Sequence, residues 1–365
     1  MADHIERQSG LAAMKPYKPG KPIEEVKREY GLDDVIKLAS NENPLGPSPR
    51  ALAAMEQTFP SLNLYPDSLS YNLRQAVAEH LGFELEQIAV GNGADGLIMQ
   101  LSMAYLDEGS EVIVSQSSFP VYDKFAHVMR AKLVKTPLKD YGLDLDAMAQ
   151  AVTDKTRLIF VCNPNNPTGT IVSADEVKDF MEQMPAHVLV VFDEAYYELV
   201  ESDASYPDTL AYIREGRQNV VTMRTFSKVY GLAGIRLGYA VAAPKILEPM
   251  FQAKSVFAVN RMAQVAGIAA LQDDEFLRKS VEANRAGRNF LYGELDRLGL
   301  SYVESHTNFI LVEIGLQAAE VQQGLLEKGV IVRPCVNYGL PNFIRVSVGS
   351  QPENARLIET LKAVL

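Results

Sequence analysis

The sequence predicts an α/β protein: a large domain with a mostly parallel sheet flanked by helices, joined to a smaller α+β domain. From about residue 70 to 260, short β-type runs alternate with amphipathic helical stretches, which is typical of parallel sheets. Several of these runs are apolar at nearly every position, as expected for strands that are buried on both faces. The last hundred residues differ, because a long charged helix precedes three β-type runs.

The individual elements follow from these patterns. In the large domain, strands are predicted at Gln87–Val90, Glu111–Ser115, Lys132–Lys135, Arg157–Val161, Val188–Phe192, Asn219–Met223 and Gly238–Ala242. Helices are predicted at Tyr71–Leu81, Leu97–Leu106, Ser173–Met184 and Pro244–Ala253, where the proline suits a first helical turn. In the small domain, a helix over Asp274–Leu298 precedes strands at Asn308–Val312, Gly329–Arg333 and Phe343–Val348.

We expect three parts along the chain. An N-terminal segment over residues 1–45 would pack with the small domain; the large domain would span residues 46–265 and the small domain residues 266–365. The proline-rich stretch Pro16–Pro22 is expected to be extended. A second proline-rich stretch, Asn41–Pro49, is expected to form a loop.

The composition restricts the classes of function. The 365 residues carry a net charge of -11, which argues against nucleic acid or an anionic membrane as the main partner. Two cysteines are too few for a disulfide framework, and the five histidines form no close pair of the metal-ligand type. The chain starts without the apolar run of a signal peptide, and no apolar stretch reaches membrane-spanning length. We therefore expect a cytoplasmic protein without a metal.

The first candidate motif is Gly91-Asn-Gly-Ala-Asp-Gly96, which follows a strand and opens a helix. It formally matches the dinucleotide fingerprint, which also wants an acidic residue at the end of the next strand. That strand ends in Ser115-Gln116, and Glu111 lies at its other end, so we discount a dinucleotide. A tight turn that caps the helix and a phosphate site made of backbone N–H groups both remain open.

Two further motifs follow buried strands. Asn163-Pro-Asn-Asn-Pro-Thr-Gly169 is a backbone turn, or a turn whose asparagines also bind a ligand. Asp193 ends an apolar run, where a carboxylate is costly unless it is paired. It is either a helix cap or ion-pair partner, or the partner of a cationic ring nitrogen. Tyr196 either packs as an aromatic or donates to a neighbouring oxygen of that ring.

Lys228 lies in the fourth motif, which runs from Met223 to Gly238 after a predicted strand. Thr225, Ser227 and Arg236 supply two hydroxyls and a guanidinium, which suit a phosphate, although a solvated basic loop has the same composition. A desolvated lysine can lose its proton and form a Schiff base.

All four motifs follow the carboxyl ends of predicted strands, where ligands bind in open α/β sheets. Together they provide a phosphate cup, a carboxylate for a ring nitrogen, an imine-forming lysine and ring hydrogen bonds. That set describes a pyridoxal phosphate site. In the small domain, Arg333 and Arg345 stand in apolar runs and need partners, either in a salt bridge or in an anionic substrate.

The motifs as a set resemble those of the fold-type-I pyridoxal phosphate aminotransferases, and most closely the histidinol-phosphate aminotransferase branch. The resemblance covers nearly the whole chain, from Pro16 to Gly349. Its specific elements are Ser227-Lys-Val-Tyr-Gly-Leu-Ala-Gly-Ile-Arg236, Asn163–Gly169 and Asp193-Glu-Ala-Tyr196. Pro16-Tyr-Lys-Pro-Gly-Lys-Pro22 and Asn41-Glu-Asn-Pro-Leu-Gly-Pro-Ser48 indicate the histidinol-phosphate branch.

The resemblance implies how pyridoxal 5′-phosphate would be held. Lys228 would bind it covalently, Asp193 would pair with the pyridine nitrogen, and Tyr196 and Asn166 would hydrogen-bond the ring oxygen. Phe119 would stack on the ring, at a position where many members carry tyrosine. The residues that would hold the cofactor phosphate are Ala94, Asp95, Thr225, Ser227 and Arg236.

The resemblance also implies the substrate contacts and a homodimer. Tyr65, in Leu64-Tyr-Pro-Asp67, would reach the cofactor phosphate of the partner subunit, so that the two subunits share their sites. Arg345 would bind the carboxylate of the amino acid. Tyr17 and Arg333 would accept the phosphate of the substrate.

The implied reaction is transamination of histidinol phosphate with 2-oxoglutarate, reversibly from imidazole-acetol phosphate and glutamate, in histidine biosynthesis. The nearest alternative is an aromatic amino-acid aminotransferase on the same scaffold. A pyridoxal phosphate-dependent decarboxylase of phosphate-bearing substrates would need no amino acceptor. A non-catalytic regulator would carry a DNA-binding module, and the acidity of the chain also speaks against that role.

Overall fold

The computed structural model describes residues 8–12, 14, 20–200 and 203–365. Its helices are α1 (Ser9–Ala12), α2 (Ile23–Tyr30), α3 (Pro49–Glu56), α4 (Tyr71–Leu81), α5 (Gly93–Tyr105), α6 (Val121–Val128), α7 (Leu145–Gln150), α8 (Ala174–Gln183), α9 (Thr209–Arg214), α10 (Pro244–Ala253), α11 (Arg261–Ala270), α12 (Asp274–Arg297), α13 (Ala318–Glu327) and α14 (Gln351–Lys362). Its strands are β1 (Ile36–Lys37), β2 (Ile88–Gly91), β3 (Glu111–Ser115), β4 (Lys132–Thr136), β5 (Leu138–Lys139), β6 (Gly142–Leu143), β7 (Thr156–Cys162), β8 (Leu189–Asp193), β9 (Val220–Thr225), β10 (Gly238–Ala242), β11 (Tyr302–Val303), β12 (Phe309–Glu313), β13 (Val330–Ile331), β14 (Arg333–Pro334) and β15 (Phe343–Ser347).

The large unit is built on a seven-stranded sheet in the order β2-β10-β9-β8-β7-β3-β4. Strand β10 runs antiparallel to both of its neighbours, whereas β9, β8, β7, β3 and β4 pair in parallel. This mostly parallel sheet with flanking helices confirms the predicted α/β class. Because the parallel strands share one direction, the loops that follow them meet at a single edge.

The apolar runs of the central strands are explained by burial on both faces. Along β8, Val190 and Phe192 pack into one apolar cluster, and Leu189 and Val191 pack into a second cluster on the opposite face. Alternate side chains point to opposite faces of a strand, so a strand covered on both sides is apolar throughout.

The small unit carries a four-stranded antiparallel sheet in the order β11-β12-β15-β14. The prediction of a single strand over Gly329–Arg333 is wrong, because the structure has two short strands there, β13 and β14. The first part pairs in parallel with β1, near the start of the chain, and the second pairs with β15. The chain thus changes sheets at Val332. Since β1 pairs with β13, we propose that the described residues 20–45 belong with the small unit.

Two other boundaries differ from the sequence-based expectation. Helix α5 begins at Gly93 rather than Leu97, so most of the glycine-rich motif forms its first turn. Helix α11 crosses residue 265, and its Ala263, Ala266 and Ala270 pack into a core cluster of the large unit. We therefore propose that the boundary between the domains lies after α11. Within the described ranges, no helix is long and apolar enough to cross a membrane.

Gly169 lies where the two units approach each other closely near the sheet edge. It has a φ of 81°, and a Cβ atom added to it would stand 2.3 Å from Ser305 Oγ. Its carbonyl oxygen accepts a hydrogen bond of 2.8 Å from the backbone N–H of His306. Any side chain at residue 169 would therefore push the two units apart.

Substitution Gly169→Ala should lower the free energy of unfolding by about 2–5 kcal/mol, because backbone strain and overpacking add. The matched control is Gly216→Ala, where φ is 86° and nothing lies within 4 Å of the added Cβ atom. The control should lose only the strain component of about 1–2 kcal/mol. Urea unfolding measures both values, and equal losses would contradict a tight contact at Gly169.

Candidate active site

A cavity of about 230 Å³ opens at the edge of the large sheet where the parallel strands end, and the small unit forms its far wall. Most residues of the predicted site line it: Ala94, Asp95, Phe119, Asn166, Asp193, Tyr196, Thr225, Ser227, Lys228, Arg236, Arg333 and Arg345. Two predicted residues are not among them. Tyr65 lies elsewhere on the surface, and Tyr17 lies outside the described residues.

Lys228 follows β9 and lies between the charged groups of the cavity. Its Nζ is 3.5 Å from the carbonyl oxygen of Ser40 and 5.7 Å from the centre of the Tyr196 ring. Burial, with a further contribution from the cationic Arg345, lowers the pKa of Lys228 to about 8. The neutral amine, which is the state that attacks a carbonyl carbon, is therefore far more populated near neutral pH than in an ordinary lysine.

Asp193 ends β8 and is only 3% exposed. Its Oδ2 accepts a hydrogen bond of 2.6 Å from the hydroxyl of Tyr122, whereas its Oδ1 has no partner among the described residues. Burial raises the pKa of Asp193 to about 6, and the Tyr122 hydrogen bond opposes that rise. The carboxylate therefore presents one unsatisfied oxygen in the wall of the cavity.

Tyr122 was missed by the sequence analysis. It lies in α6, three residues after Phe119, and its ring stacks on Phe160 at a centroid distance of 4.4 Å. A tyrosine one helical turn after a site residue is only a weak indication of a functional role, because an aromatic side chain on the apolar face of a helix usually packs in the core. Its contact with Asp193 depends on the pairing of β3, β7 and β8.

The residue after Asp193 is anchored by a buried ion pair. Glu194 Oε2 accepts a hydrogen bond of 2.9 Å from Arg224 Nε and lies 2.8 Å from Arg224 Nη2, and both side chains are buried. The hydroxyl of Thr209 donates to the other carboxylate oxygen at 2.6 Å. Burial lowers the pKa of Arg224, but the negative charge of Glu194 and of the groups around it outweighs burial and holds that pKa well above its ordinary value. These bonds fix the turn that follows β8.

The phosphate side of the cavity is shaped by close backbone approach. Gly93 has a φ of 70°, and a Cβ atom added there would stand 2.6 Å from Arg236 Nη2. The first backbone N–H groups of α5 have no helical partner, so they can bind an anion. Thr225 Oγ1 donates to Ser227 Oγ at 3.0 Å on the neighbouring loop. Arg236 Nη2 is 3.7 Å from Asp95 Oδ2 at the half-exposed rim.

Tyr196 is held by a residue that the sequence placed only in a loop. Asn41 Nδ2 donates to Tyr196 Oη at 2.9 Å, which leaves the phenolic hydrogen available for another acceptor. Asn41 has a φ of 57°. Its backbone N–H donates to Ser347 Oγ at 2.8 Å, and its carbonyl oxygen accepts from Asn308 Nδ2 at 2.9 Å. The sequence offered no signal for this contact beyond an asparagine in a proline-rich loop.

Two arginines of the small unit face the cavity from neighbouring strands. Arg333 and Arg345 are directly opposite each other in the β14–β15 ladder, and both are buried. Arg345 donates to Asn166 Oδ1 at 2.5 Å and to the carbonyl oxygen of Ala39 at 2.8 Å. The guanidinium groups therefore place concentrated positive charge at the end of the cavity, where an anionic substrate group could bind.

Tyr65 lies on an apolar surface of the large unit rather than in the cavity. It is 78% exposed and stacks on Phe257 with the ring centroids 4.5 Å apart. Leu62, Leu64 and Val256 are exposed around it. Exposed apolar patches of this kind usually mark an interaction surface.

Comparisons with known proteins agree with this geometry. The model of the class I and II aminotransferase family matches residues 33–361. A histidinol-phosphate aminotransferase of Moorella thermoacetica is 47% identical over 98% of this chain and 92% of its own length. One from Akkermansia muciniphila is 46% identical over 96% of both chains. The chain belongs to the histidinol-phosphate aminotransferase family.

Solved structures support the same assignment. The histidinol-phosphate aminotransferase of Sinorhizobium meliloti, solved in complex with pyridoxal-5′-phosphate, has a TM-score of 0.89 at 29% identity and covers all of both chains. An aspartate aminotransferase of Thermotoga maritima, with a TM-score of 0.84 at 22% identity, shares the fold. The predictions of a fold-type-I aminotransferase and of pyridoxal phosphate as its cofactor are thereby confirmed.

The residues of this histidinol-phosphate aminotransferase family member fit the cofactor. The unsatisfied Asp193 Oδ1 matches a protonated ring nitrogen. The absence of a side chain at Gly93 lets Arg236 lie against the first turn of α5, whose backbone N–H groups can bind a phosphate. The amine of Lys228 lies in the same cavity. Among the described residues, no three His, Cys, Asp or Glu side chains group as metal ligands do.

Substitution Asp193→Asn should change the pH dependence of stability in the cofactor-free protein. The pKa of Asp193 is raised from 3.8 in the unfolded chain to about 6 in the folded protein. The folded wild type therefore keeps its full stability below pH 4, where Asp193 is protonated, and loses stability as the pH rises through 6. The variant should therefore gain about 3 kcal/mol over the wild type across that window. Urea unfolding at several pH values measures this difference.

Tyr122→Phe provides the complementary measurement. The Tyr122 hydroxyl donates a hydrogen bond that favours the charged form of Asp193, so its removal should raise the pKa of Asp193 further. The pH-dependent loss of stability should therefore extend above pH 6 in this variant. A difference between wild type and Asp193→Asn that does not vary with pH would contradict the burial of an ionisable Asp193.

Proposed function

We propose that this protein transfers an amino group between histidinol phosphate and 2-oxoglutarate, as a step of histidine biosynthesis. The observation that carries the proposal is the composition of one cavity: a lysine of lowered pKa, an unsatisfied buried carboxylate oxygen and two buried arginines at the far end. Relatives at 43–47% identity over nearly the whole chain are histidinol-phosphate aminotransferases. We also propose that the protein works in the cytoplasm.

Lys228 is proposed as the catalytic base and acid. When bound, pyridoxal phosphate supplies an electron-withdrawing ring that makes the hydrogen on the substrate α-carbon acidic. Lys228 Nζ in its neutral form would take that proton from the α-carbon and deliver it to the cofactor carbon that bears the nitrogen. Desolvation brings the pKa of the amine to about 8, close to neutral pH, so the amine can both accept a proton and donate it.

Asp193 and its neighbours are proposed to hold the cofactor ring. Asp193 Oδ1 would accept the N–H of the pyridine ring, and Tyr122 would keep the carboxylate ionised and in place through Oδ2. The free hydrogen of the Tyr196 hydroxyl would go to the ring oxygen, with Asn166 beside it. Phe119 would stack on the ring face, without a hydroxyl to donate.

The phosphate of the cofactor is proposed to lie at the N-terminus of α5. The N–H groups of that first turn and the positive end of the helix dipole favour an anion there. Arg236 would add a charge-assisted bond from the rim. The proposed contacts are the backbone of Ala94 and Asp95 and the side chains of Thr225, Ser227 and Arg236.

The two arginines are proposed to recognise the substrates. Arg345 would bind the carboxylate of glutamate or 2-oxoglutarate, exchanging its bond to Asn166 for a bidentate one. Arg333 would bind the phosphate of histidinol phosphate. Tyr17, which lies outside the described residues, stays a second predicted phosphate ligand on sequence grounds.

Substitution Arg333→Gln should raise the KM for histidinol phosphate about 30- to 100-fold, which is the loss of a charge-assisted bond worth roughly 2–3 kcal/mol. The efficiency with phenylalanine or tyrosine, which lack a phosphate, should change much less. The measurement is a kcat/KM panel of the three amino donors with 2-oxoglutarate, for wild type and variant.

Two outcomes of this panel would contradict the proposal. Wild-type protein that prefers the unphosphorylated aromatic amino acids would be an aromatic amino-acid aminotransferase. Turnover retained in Lys228→Ala, which serves as the inactive control, would remove the proposed catalytic role of Lys228.

We also propose a homodimer in which Tyr65 completes the site of the partner subunit. Tyr65 is exposed and lies outside the cavity of its own chain. Leu62, Leu64, Val256 and Phe257 form an exposed apolar surface around it, which a second copy would cover. A twofold axis would place each Tyr65 near the other subunit's cofactor phosphate.

Mixing two weakened variants tests the shared site. Tyr65→Ala and Lys228→Ala each damage both sites of a homodimer, but a hybrid dimer has one site with both residues intact. After unfolding and refolding an equal mixture, activity should return to about a quarter of the wild-type value, since half the dimers are hybrids with one good site each. Activity no greater than the average of the two separate variants would contradict sharing.

A further inference from the structure

Lys228 lies between the main cavity and a second, much smaller cavity. The small cavity has a volume of about 20 Å³, and its polar wall is formed by Asn43, Ser280, Asn284 and Asn308 together with Lys228. Ser280 and Asn284 belong to α12, and Asn308 immediately precedes β12. Of these residues only Lys228 also lines the main cavity.

Two amide oxygens in this wall have no hydrogen-bond partner in the described part of the chain: Oδ1 of Asn284 and Oδ1 of Asn308. The orientation of each amide is fixed by its nitrogen. Asn284 Nδ2 donates to the carbonyl oxygen of Thr307 at 3.1 Å, and Asn308 Nδ2 donates to that of Asn41 at 2.9 Å. Leaving a buried acceptor unsatisfied costs about 1–3 kcal/mol, so a donor is expected at both oxygens.

Ser280 supplies the complementary group. Its Oγ accepts a hydrogen bond of 2.9 Å from Asn43 Nδ2, and the same amide nitrogen also donates to the carbonyl oxygen of Val229 at 2.7 Å. With its oxygen accepting, Ser280 has a hydroxyl hydrogen to donate. Besides the amine of Lys228, the residues of this wall therefore offer two acceptors and one hydroxyl donor.

The size and the polarity of this cavity select one kind of occupant. A buried water needs about 10–15 Å³ and typically makes about three hydrogen bonds, two of which it can donate. The available volume is about 20 Å³, which is too small for an organic ligand. A monovalent cation would satisfy the two oxygens, but it could not accept the Ser280 hydrogen.

We propose that this cavity binds a single ordered water molecule, which donates to Asn284 Oδ1 and Asn308 Oδ1 and accepts from Ser280. The water joins α12 to the start of β12 directly behind Lys228. From Asn308 the hydrogen bonds continue through Asn41 to the hydroxyl of Tyr196 in the main cavity. A polar chain anchored by the water thus ends at a residue of the active site.

A crystal structure of the enzyme with its cofactor, at a resolution that shows ordered solvent, tests the proposal. We expect one density peak within about 2.7–3.2 Å of Asn284 Oδ1, Asn308 Oδ1 and Ser280 Oγ. Crystals soaked in rubidium chloride should show no anomalous signal at that peak. A missing peak, or a rubidium signal there, would overturn the assignment to water.

A matched pair of variants tests the ligands. The side chains of Asn284→Leu and Asn284→Asp are similar in shape, and neither can donate to the carbonyl oxygen of Thr307 as Asn284 does. That carbonyl oxygen still accepts from Arg288 Nη1 at 3.2 Å in both variants. Only the aspartate variant keeps an oxygen that faces the cavity. The water should therefore persist in Asn284→Asp and be absent from Asn284→Leu. A fully occupied water in the leucine variant would show that Asn284 does not bind this water. If either variant fails to fold, the wild-type crystal structure alone decides the proposal.

Discussion

The arrangement of the site depends on one buried carboxylate, that of Asp193, at the end of a central strand. Burial raises the pKa of Asp193 to about 6, and hydrogen bonds from Tyr122 and the backbone of Ala195 limit that rise. Tyr122 binds one of its oxygens, and the Glu194–Arg224 ion pair fixes the following turn. These contacts hold one oxygen in the cavity, where a cationic ring can neutralise it. The same desolvation lowers the pKa of Lys228, so one physical cause prepares both groups.

The sequence was sufficient for the fold and for the loops of the site because both depend on local patterns. Central strands such as β8 are apolar throughout, which predicts burial on two faces, and β3 and β10 have the predicted bounds. Polar groups directly after such strands must meet at one edge, so Asp193 and Lys228 were predicted to share a site. The cavity contains both of them.

Contacts between distant parts of the chain could not be predicted in this way. Asn41 and Tyr196 are 155 residues apart, and their hydrogen bond exists only because β1 pairs beside β13. Tyr122 reaches Asp193 only across paired strands. The predicted strand over Gly329–Arg333 is apolar from Val330 to Val332, and such a run gives no sign that the strand divides between two sheets. Periodicity describes which residues are buried, but not which neighbours they meet.

The direct pairing of Arg333 with Arg345 has a consequence for the whole small unit. Two like charges on one face of an antiparallel ladder repel each other by a few tenths of a kcal/mol or more, and burial strengthens this repulsion. An anionic substrate group between them would act as the counterion of the sheet itself. Binding of such a group would therefore be thermodynamically linked to the cohesion of β14 with β15, and an uncharged substrate analogue would leave the repulsion in place.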